Sequence, residues 1–199
     1  MSGPRSMSFR DHFLELRRRL IICAVTFFVC CAISLPLGQP IFAVLMHPLK
    51  LAFAKMAFHP ADQAILHYAG PLEGVFTYLK ASLLAAGFVT APLVIYQAWR
   101  FILPALHINE QRYFKTFVLG GGLLFIGGMC FFYFLVLPPS LQVFLTQADP
   151  DIRPVLMMNQ YMSLVVTLML MFGVAFELPL VMLLISQLGL ADAKTFSKF

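Results

Sequence analysis

The sequence predicts an all-α protein, a bundle of four transmembrane helices with a concave face. Of its 199 residues, 60% are hydrophobic and only 12% are charged, whereas a soluble domain carries about 25% charged residues. The charges are clustered, and no Asp, Glu, Lys or Arg occurs from residue 20 to residue 49. Such stretches contain the roughly 20 apolar residues that a helix needs to cross a bilayer. The chain is therefore expected to form a single membrane domain.

An amphipathic helix is expected at the amino terminus, directly before the first span. Apolar residues recur at helical spacing between residues 9 and 20, which is typical of one apolar helix face. Glu15 precedes Arg18 and Arg19 by three and four residues, a favourable order for ion pairs on a helix. The arginine run ends where the apolar stretch begins, and Lys/Arg-rich flanks stay on the cytoplasmic side. The amino terminus is therefore predicted to be cytoplasmic.

The alternation of apolar and charged segments divides the rest of the chain. The predicted spans cover approximately residues 20–36, 75–99, 113–137 and 161–188. An outer cap is predicted from residues 37–72 and 138–160, and an inner loop from residues 100–112. Residues 189–199 form the predicted cytoplasmic tail. The inner segments then hold 10 of the 14 Lys and Arg residues and the outer segments hold 4. Both termini are therefore predicted to be cytoplasmic.

The outer cap is expected to contain short helices. Residues 41–58 are apolar but include Pro48 and two lysines, so one or two amphipathic helices lying at the outer membrane surface are predicted. A second span in this segment is the alternative. Lys80 is expected to extend its amine towards the outer surface, and Pro138 with Pro139 is expected to end the third span.

Prolines and glycines predict how the spans pack. Pro92 and Pro179 are expected to bend the second and fourth spans around a hollow, because neighbouring helices tolerate such bends in a membrane. Two pairs of glycines, each seven residues apart, occur on the third span, at 120 and 127 and at 121 and 128. This nearly bare face predicts a neighbouring helix at close range.

One acidic residue lies inside a predicted span. Glu177 is about 15 Å of helix from the inner end of its span, and insertion of an acidic side chain at a helix centre costs about 2.5–3.5 kcal/mol. Gln160, Ser163 and Thr167 share its side of the helix, so this side is expected to face a partly hydrated hollow. Two interpretations remain open: a buried, protonated Glu that hydrogen-bonds a neighbouring helix, or a polar contact for a group that enters the membrane.

Two further acids lie at the predicted inner face, each among arginines. Glu15 and Glu110 either balance the neighbouring positive charges or form a joint site for a cationic partner. The second interpretation is chemically specific, since a carboxylate matches a guanidinium group bidentately.

No enzyme, cofactor or metal site is predicted. All five histidines lie outside the predicted spans, and the sequence has no metalloprotease, nucleophile-elbow or P-loop motif. The four cysteines lie in apolar spans without metal-ligand spacing. The net charge of +5 is explained by the Lys and Arg residues of the predicted inner segments, so nucleic-acid binding is not predicted.

Four motifs occur in order along the chain and carry a family resemblance. They are His12–Leu20, of the form H-x-x-E-L-R-x-R-L; Pro71–Leu83; Ala91–Leu106 followed by Glu110; and Phe172–Pro179. The set resembles the TatC family, the multi-spanning subunits of the twin-arginine protein translocase. Because four matches in the right order agree with the predicted topology, the resemblance is highly specific.

The resemblance implies a role in protein transport across the bacterial cytoplasmic membrane. Family members recognise twin-arginine signal peptides on folded cargo, act with TatA and TatB in a receptor complex that includes self-association, and use the proton-motive force. It also implies a set of functional residues. They are Glu15, Arg17, Arg19 and Glu110 for signal-peptide binding, Glu177 and Gln97 for an intramembrane polar site, and Pro48 for the outer cap.

The chain departs from the family pattern at three places. His107 stands where Tyr is usual and Val75 where Phe is common, and the last two of the family's six spans are expected to be missing after Phe199.

A small ion- or proton-coupled transporter is the alternative function; it would use Glu177 but gives no role to Glu15 and Glu110. A structural assembly protein is a third possibility, and binding of a twin-arginine peptide separates the first function from both others.

Overall fold

The computed structural model describes residues 9–55, 66–102, 114–146 and 155–187. Within these ranges the chain is helical apart from short connections and an isolated bridge between His67 and Met157. A 3-10 turn, Leu35–Leu37, and a π-helical turn, Phe132–Val136, join successive helices. The α-helices are α1 (Phe9–Ser34), α2 (Gly38–Lys55), α3 (Glu73–Ile102), α4 (Phe114–Phe131), α5 (Leu137–Thr146) and α6 (Met158–Gln187).

The helices form a membrane bundle. Four helical segments of the described chain are long and apolar enough to cross a bilayer, and they begin at residues 12, 73, 115 and 158. The first of them includes both α1 and α2, and the third includes both α4 and α5. The predicted all-α class and the four transmembrane helices are therefore confirmed.

The third long helix does not end at its two adjacent prolines. Pro138 and Pro139 lie in the first turn of α5, where a helix tolerates residues without an N–H. Because both lack this donor, the preceding turn widens, and the Leu137 N–H bonds to the Phe132 carbonyl five residues earlier. The helix then continues to Thr146, so part of the segment predicted as outer loop is helical.

Contacts between the helices define two ends of the bundle. Ser82 on α3 donates a hydrogen bond of 3.1 Å to the Ser34 carbonyl at the end of α1, while Arg19 near the start of α1 bonds to Gln97 late on α3. Helices α1 and α3 are therefore antiparallel. We call the end with Arg19 and Gln97 the arginine end, and the opposite end, with α2, α5 and the beginnings of α3 and α6, the cap end.

The larger hydrophobic core lies at the cap end. Here α2 and α5 close over α3 and α6. Its fully buried residues include Leu49, Ala81, Phe132, Met162 and Val165. A smaller cluster at the arginine end is formed by Trp99, Phe117 and Leu180, with the Trp99 and Phe117 rings stacked at a centroid distance of 4.9 Å. The bundle is thus packed more extensively at the cap end.

One of the two predicted glycine pairs brings α4 close to α6. A Cβ at Gly128 would lie 2.6 Å from the Phe172 carbonyl oxygen, and a Cβ at Gly121 would lie 2.9 Å from the Ile95 side chain on α3. By contrast, a Cβ at Gly120 or Gly127 would meet no atom of the described residues within 4 Å. The predicted close packing therefore occurs at Gly121 and Gly128, whereas the neighbouring pair faces away from both helices.

We predict that Gly128→Ala destabilises the bundle and that Gly127→Ala does not. The added methyl group at position 128 must displace the backbone of α6, and overpacking of this kind costs about 1–3 kcal/mol. At position 127 the methyl group meets open space, and Ala favours the helix by about 1 kcal/mol over Gly. Thermal unfolding of the two purified variants in detergent measures the difference. Equal unfolding temperatures of the two variants would show that α4 and α6 can move apart without loss of stability.

Candidate functional site

Three side chains from α1 and α3 meet at the arginine end. The Arg19 Nε donates a hydrogen bond of 3.2 Å to Glu15 Oε1, and Arg19 Nη2 donates to the same oxygen. The remaining terminal nitrogen, Nη1, donates a hydrogen bond of 3.1 Å to Gln97 Oε1. Glu15 and Arg19 are four residues apart, so they share one face of α1. The guanidinium group of Arg19 therefore links the acid on α1 to the amide on α3.

The ion pair between Arg19 and Glu15 is partly shielded from its surroundings. The two side chains are 13% and 25% exposed, so the charges are less screened than those of an open surface pair. Glu15 Oε2 makes no hydrogen bond to any residue that the structure describes. The carboxylate is thus held in place through one oxygen and retains acceptor capacity on the other.

Aromatic and basic side chains extend this surface. The His12 ring stacks on Phe101 at a centroid distance of 4.3 Å, and Arg100 donates a hydrogen bond of 3.1 Å to the Tyr96 hydroxyl group. Arg17 is exposed. Glu110, the second predicted acid of the signal-peptide site, lies outside the described residues. The arginine end therefore combines an oriented carboxylate with exposed cationic and aromatic groups.

Gln97, a predicted site residue, has a neighbour that the sequence did not indicate. The family resemblance implied a shared intramembrane site with Glu177. In the structure Gln97 accepts a hydrogen bond from Arg19, and within the described residues no hydrogen bond joins it to Glu177. Arg19 on α1 and Gln97 on α3 are 78 residues apart in the chain, so residue spacing within a single sequence cannot indicate that they meet.

Glu177 has a buried oxygen without a hydrogen-bond partner. Its Oε1 is buried and unpaired among the residues that the structure describes. Its Oε2 lies 3.3 Å from the position that a Cβ at Gly121 would occupy, so the carboxyl group fits beside α4 because residue 121 is glycine. A buried polar group without a partner costs about 1–3 kcal/mol. Such an exception in a folded protein requires an explanation, and function is one.

Of the three polar residues predicted to share the side of Glu177, one binds a lysine and two are exposed. Ser163 accepts a hydrogen bond of 2.8 Å from the Lys80 amine, and Lys80 also donates to the Asn159 side-chain oxygen. Gln160 and Thr167 are exposed. The Lys80 amine, expected to extend towards the outer surface, lies between α3 and α6 and binds side chains near the beginning of α6.

Two tyrosines hold the proline of α2 at the cap end. Pro48 is buried and has no N–H, so the Val44 carbonyl four residues earlier lacks its helical donor. The Tyr133 hydroxyl group donates a hydrogen bond of 2.7 Å to this carbonyl, and Tyr161 donates one of 2.7 Å to the Leu45 carbonyl. The π-helical turn carries Tyr133 and α6 carries Tyr161. The cap is therefore attached at its proline.

No group of three or more His, Cys, Asp or Glu side chains suited to a metal ion occurs in the part of the chain that the structure describes.

The fold and the sites define an integral membrane protein built as a helical bundle, and comparisons with known proteins specify its family. A family model described as Sec-independent protein translocase protein (TatC) matches residues 11–199. The chain belongs to the TatC family.

Individual relatives agree with this assignment over most of the chain. The TatC protein of Aquifex aeolicus is 32% identical over 97% of this chain and 78% of the relative. The TatC protein of Koribacter versatilis is 33% identical over 95% of this chain and 68% of the relative. A crystal structure of the twin-arginine translocase receptor TatC matches with a TM-score of 0.83 and 33% identity, covering 94% of this chain and 80% of that chain.

We predict that Glu177→Met stabilises the isolated protein. Methionine has a similar length, brings no polar atom, and removes the unpaired oxygen that costs about 1–3 kcal/mol. Glu177→Gln, the matched control, still places polar atoms at this position and should unfold close to the temperature of the unmodified protein. Thermal unfolding in detergent measures all three proteins. A lower unfolding temperature for Glu177→Met would mean that Glu177 contributes to the stability of the fold.

Proposed function

We propose that this chain recognises the paired arginines of a twin-arginine signal peptide at its arginine end. The observation that carries the proposal is the Glu15 carboxylate, which is oriented through one oxygen by Arg19 and has the other available. The solved structure that resembles this chain is named as the receptor of the twin-arginine translocase. A protein-transport role follows from the family, and recognition of the signal peptide is the step that we assign to these residues.

Arg19 illustrates how an incoming guanidinium group would bind. Two of its nitrogens contact Glu15 and the third contacts Gln97, so the site already matches the planar shape of an arginine side chain. A signal-peptide arginine would bind Glu15 Oε2 or displace Arg19 from Oε1. Lysine offers a single compact charge and no such fork, so the proposed site should favour arginine over lysine.

Glu110 is proposed as the second acid of this site. It lies in the connection between Ile102, the last residue of α3, and Phe114, the first residue of α4. Both helix ends belong to the arginine end, where Trp99 and Phe117 stack. Two carboxylates at one end of the bundle provide one partner for each of two consecutive arginines.

We predict that Glu15→Ala and Glu110→Ala each weaken binding of a twin-arginine peptide. Loss of one charge-assisted contact should cost about 1.5–3 kcal/mol. Binding of a fluorescent signal peptide to the purified protein measures the loss, and a twin-lysine peptide provides the peptide control. Asp149→Ala, which removes a carboxylate from the predicted outer segment, is the protein control. Unchanged peptide affinity in the double variant would reject the arginine site.

The proposed role of Glu177 is to contact a polar group on a transmembrane helix of TatA or TatB. The unpaired Oε1 of this carboxyl group, whose Oε2 lies beside the small Gly121, supports the proposal, because an incoming donor would complete the missing hydrogen bond. Hydrogen bonds between membrane helices contribute about 0.6–2 kcal/mol. Glu177→Met should therefore reduce crosslinking to these subunits while peptide binding persists, and Glu177→Gln should be milder. Full crosslinking of Glu177→Met would reject this role.

An ion- or proton-coupled transporter explains the protein less well. Such a protein would use the carboxyl group of Glu177. It leaves the linked groups of Glu15, Arg19 and Gln97 without a role, whereas arginine recognition uses all three. We infer instead that the proton-motive force drives transport of cargo through the complex that this subunit forms with its partners and with further copies of itself.

We further propose that both termini face the cytoplasm of a bacterial cell, with the cap end on the outer side of the cytoplasmic membrane. The asymmetry of Lys and Arg between the predicted inner and outer segments supports this orientation. Single cysteines at positions 5 and 197 of a cysteine-free chain should react with a membrane-impermeant reagent only after the cells are opened. A cysteine at position 50 provides the outer control. Strong labelling of position 5 or 197 in intact cells would reverse the assignment.

A further inference from the structure

At the cap end, two opposite charges meet at one asparagine. Glu73, the first residue of α3, accepts a hydrogen bond of 2.9 Å from the Asn159 backbone N–H through Oε1, and its Oε2 accepts one from the Ala69 N–H. Lys80 donates to the Asn159 side-chain oxygen and, over 2.8 Å, to the Ser163 hydroxyl group. The carboxylate and the ammonium group therefore lie a short distance apart, on the same side of the seam between α3 and α6.

Both charges line an open cavity. Its volume is about 470 Å³, and its other lining residues include Phe76, Met157 and Gln160. This volume is in the range of sites that hold small ligands, about 300–1,000 Å³. Phe76 is 55% exposed and Gln160 is exposed, so the cavity opens to the outside of the bundle. It therefore combines a charged end with apolar walls on helices that cross the membrane.

Each charged group retains hydrogen-bonding capacity. A lysine ammonium group has three donors, and Lys80 uses two of them within the described residues. A carboxylate has about four acceptor positions, and in the described part of the chain Glu73 uses one on each oxygen. A ligand that offers an acceptor to Lys80 and a donor to Glu73 would use the remaining donor of the lysine and a remaining acceptor position of the carboxylate.

We propose that this cavity binds a phospholipid with a zwitterionic headgroup, its phosphate on Lys80 and its protonated amine on Glu73. The Glu73 carboxylate binds backbone N–H groups at the beginnings of α3 and α6, whereas the Lys80 amine also reaches Ser163, about one turn further along α6 and towards the middle of the bilayer. In phosphatidylethanolamine the phosphate lies nearer the acyl chains than the amine does. The order of charges along the lipid therefore matches the order of charges in the cavity.

The chemistry of the site distinguishes this lipid from other common ones. Phosphatidylglycerol has a phosphate for Lys80 but brings no positive group to Glu73. Phosphatidylcholine has the correct charges, but its quaternary ammonium has no N–H to donate to the Glu73 carboxylate. The apolar walls at Phe76 and Met157 would contact the beginning of an acyl chain. This inference concerns the cap end and is independent of signal-peptide binding at the arginine end.

Native mass spectrometry of the intact protein with defined lipids tests the proposal. Phosphatidylethanolamine, phosphatidylglycerol and phosphatidylcholine with identical acyl chains would be compared, with soluble phosphoethanolamine as the headgroup alone. We expect phosphatidylethanolamine to bind about tenfold more tightly than the other two lipids, as one charge-assisted contact implies. Phosphoethanolamine should bind far more weakly, because it lacks the apolar part.

Matched variants assign the effect to the cavity. Lys80→Gln keeps donors for Asn159 and Ser163 but removes the charge, so it should lower phosphatidylethanolamine affinity about tenfold. Glu73→Gln should reduce the preference over phosphatidylcholine. Lys50→Gln removes an exposed lysine of α2 at the same end and should change nothing.

Three results would overturn the proposal. They are equal binding of the three lipids to the unmodified protein, equal affinity of the unmodified protein and Lys80→Gln for phosphatidylethanolamine, and binding of phosphoethanolamine as tight as that of the lipid. The first result needs no variant, so the test does not depend on whether a substituted protein folds. Equal affinity with Lys80→Gln would show that the cavity is a structural seam or a contact for another helix.

Discussion

The close approach of α4 to α6 at Gly128 and Gly121 is the constraint on which the other features depend. Because Gly128 has no side chain, the backbone of α6 can approach α4 very closely. A Cβ at position 128 would lie only 2.6 Å from the Phe172 carbonyl oxygen. The same approach, one heptad earlier on α4, leaves the space beside Gly121 that the Glu177 carboxyl group occupies. A bulkier residue at either position would separate the helices, because membrane helices associate largely through close van der Waals packing. The glycines therefore fix both the helix pair and the depth of its acidic residue.

The two ends of the bundle are stabilised differently. At the cap end the larger core is closed by α2, and the tyrosines at positions 133 and 161 bind carbonyls beside Pro48. At the arginine end a smaller aromatic cluster lies next to the linked Glu15, Arg19 and Gln97 side chains. A firmly packed cap gives the helices a fixed base, and the Glu15 side chain at the other end is held in place while it stays partly exposed. An accessible and oriented carboxylate is what recognition of an arginine requires.

Polar groups within the membrane helices divide into satisfied and unsatisfied ones. Lys80 binds Asn159 and Ser163, and the Val44 carbonyl left free by Pro48 binds Tyr133. Among the described residues, Glu177 differs, since one of its buried oxygens has no partner. Because lipid cannot supply a hydrogen bond, each satisfied group stabilises a contact between helices, whereas the unpaired oxygen of Glu177 leaves one hydrogen bond unmade.

The sequence by itself determined the class of the protein, because apolar stretches of membrane length separated by charged clusters permit few other folds. It also indicated Glu15, Glu110 and Glu177 as candidate site residues through short motifs in which neighbouring residues carry the information. Tertiary structure alone decided which residues meet across the bundle: that Gln97 pairs with Arg19, that Lys80 turns to α6, and that the helix continues past Pro138. These contacts join positions as many as 83 residues apart or depend on how a widened turn accommodates two prolines. Spacing along one chain reports only which side of a helix a residue occupies, and the partner on that side depends on how the helices pack.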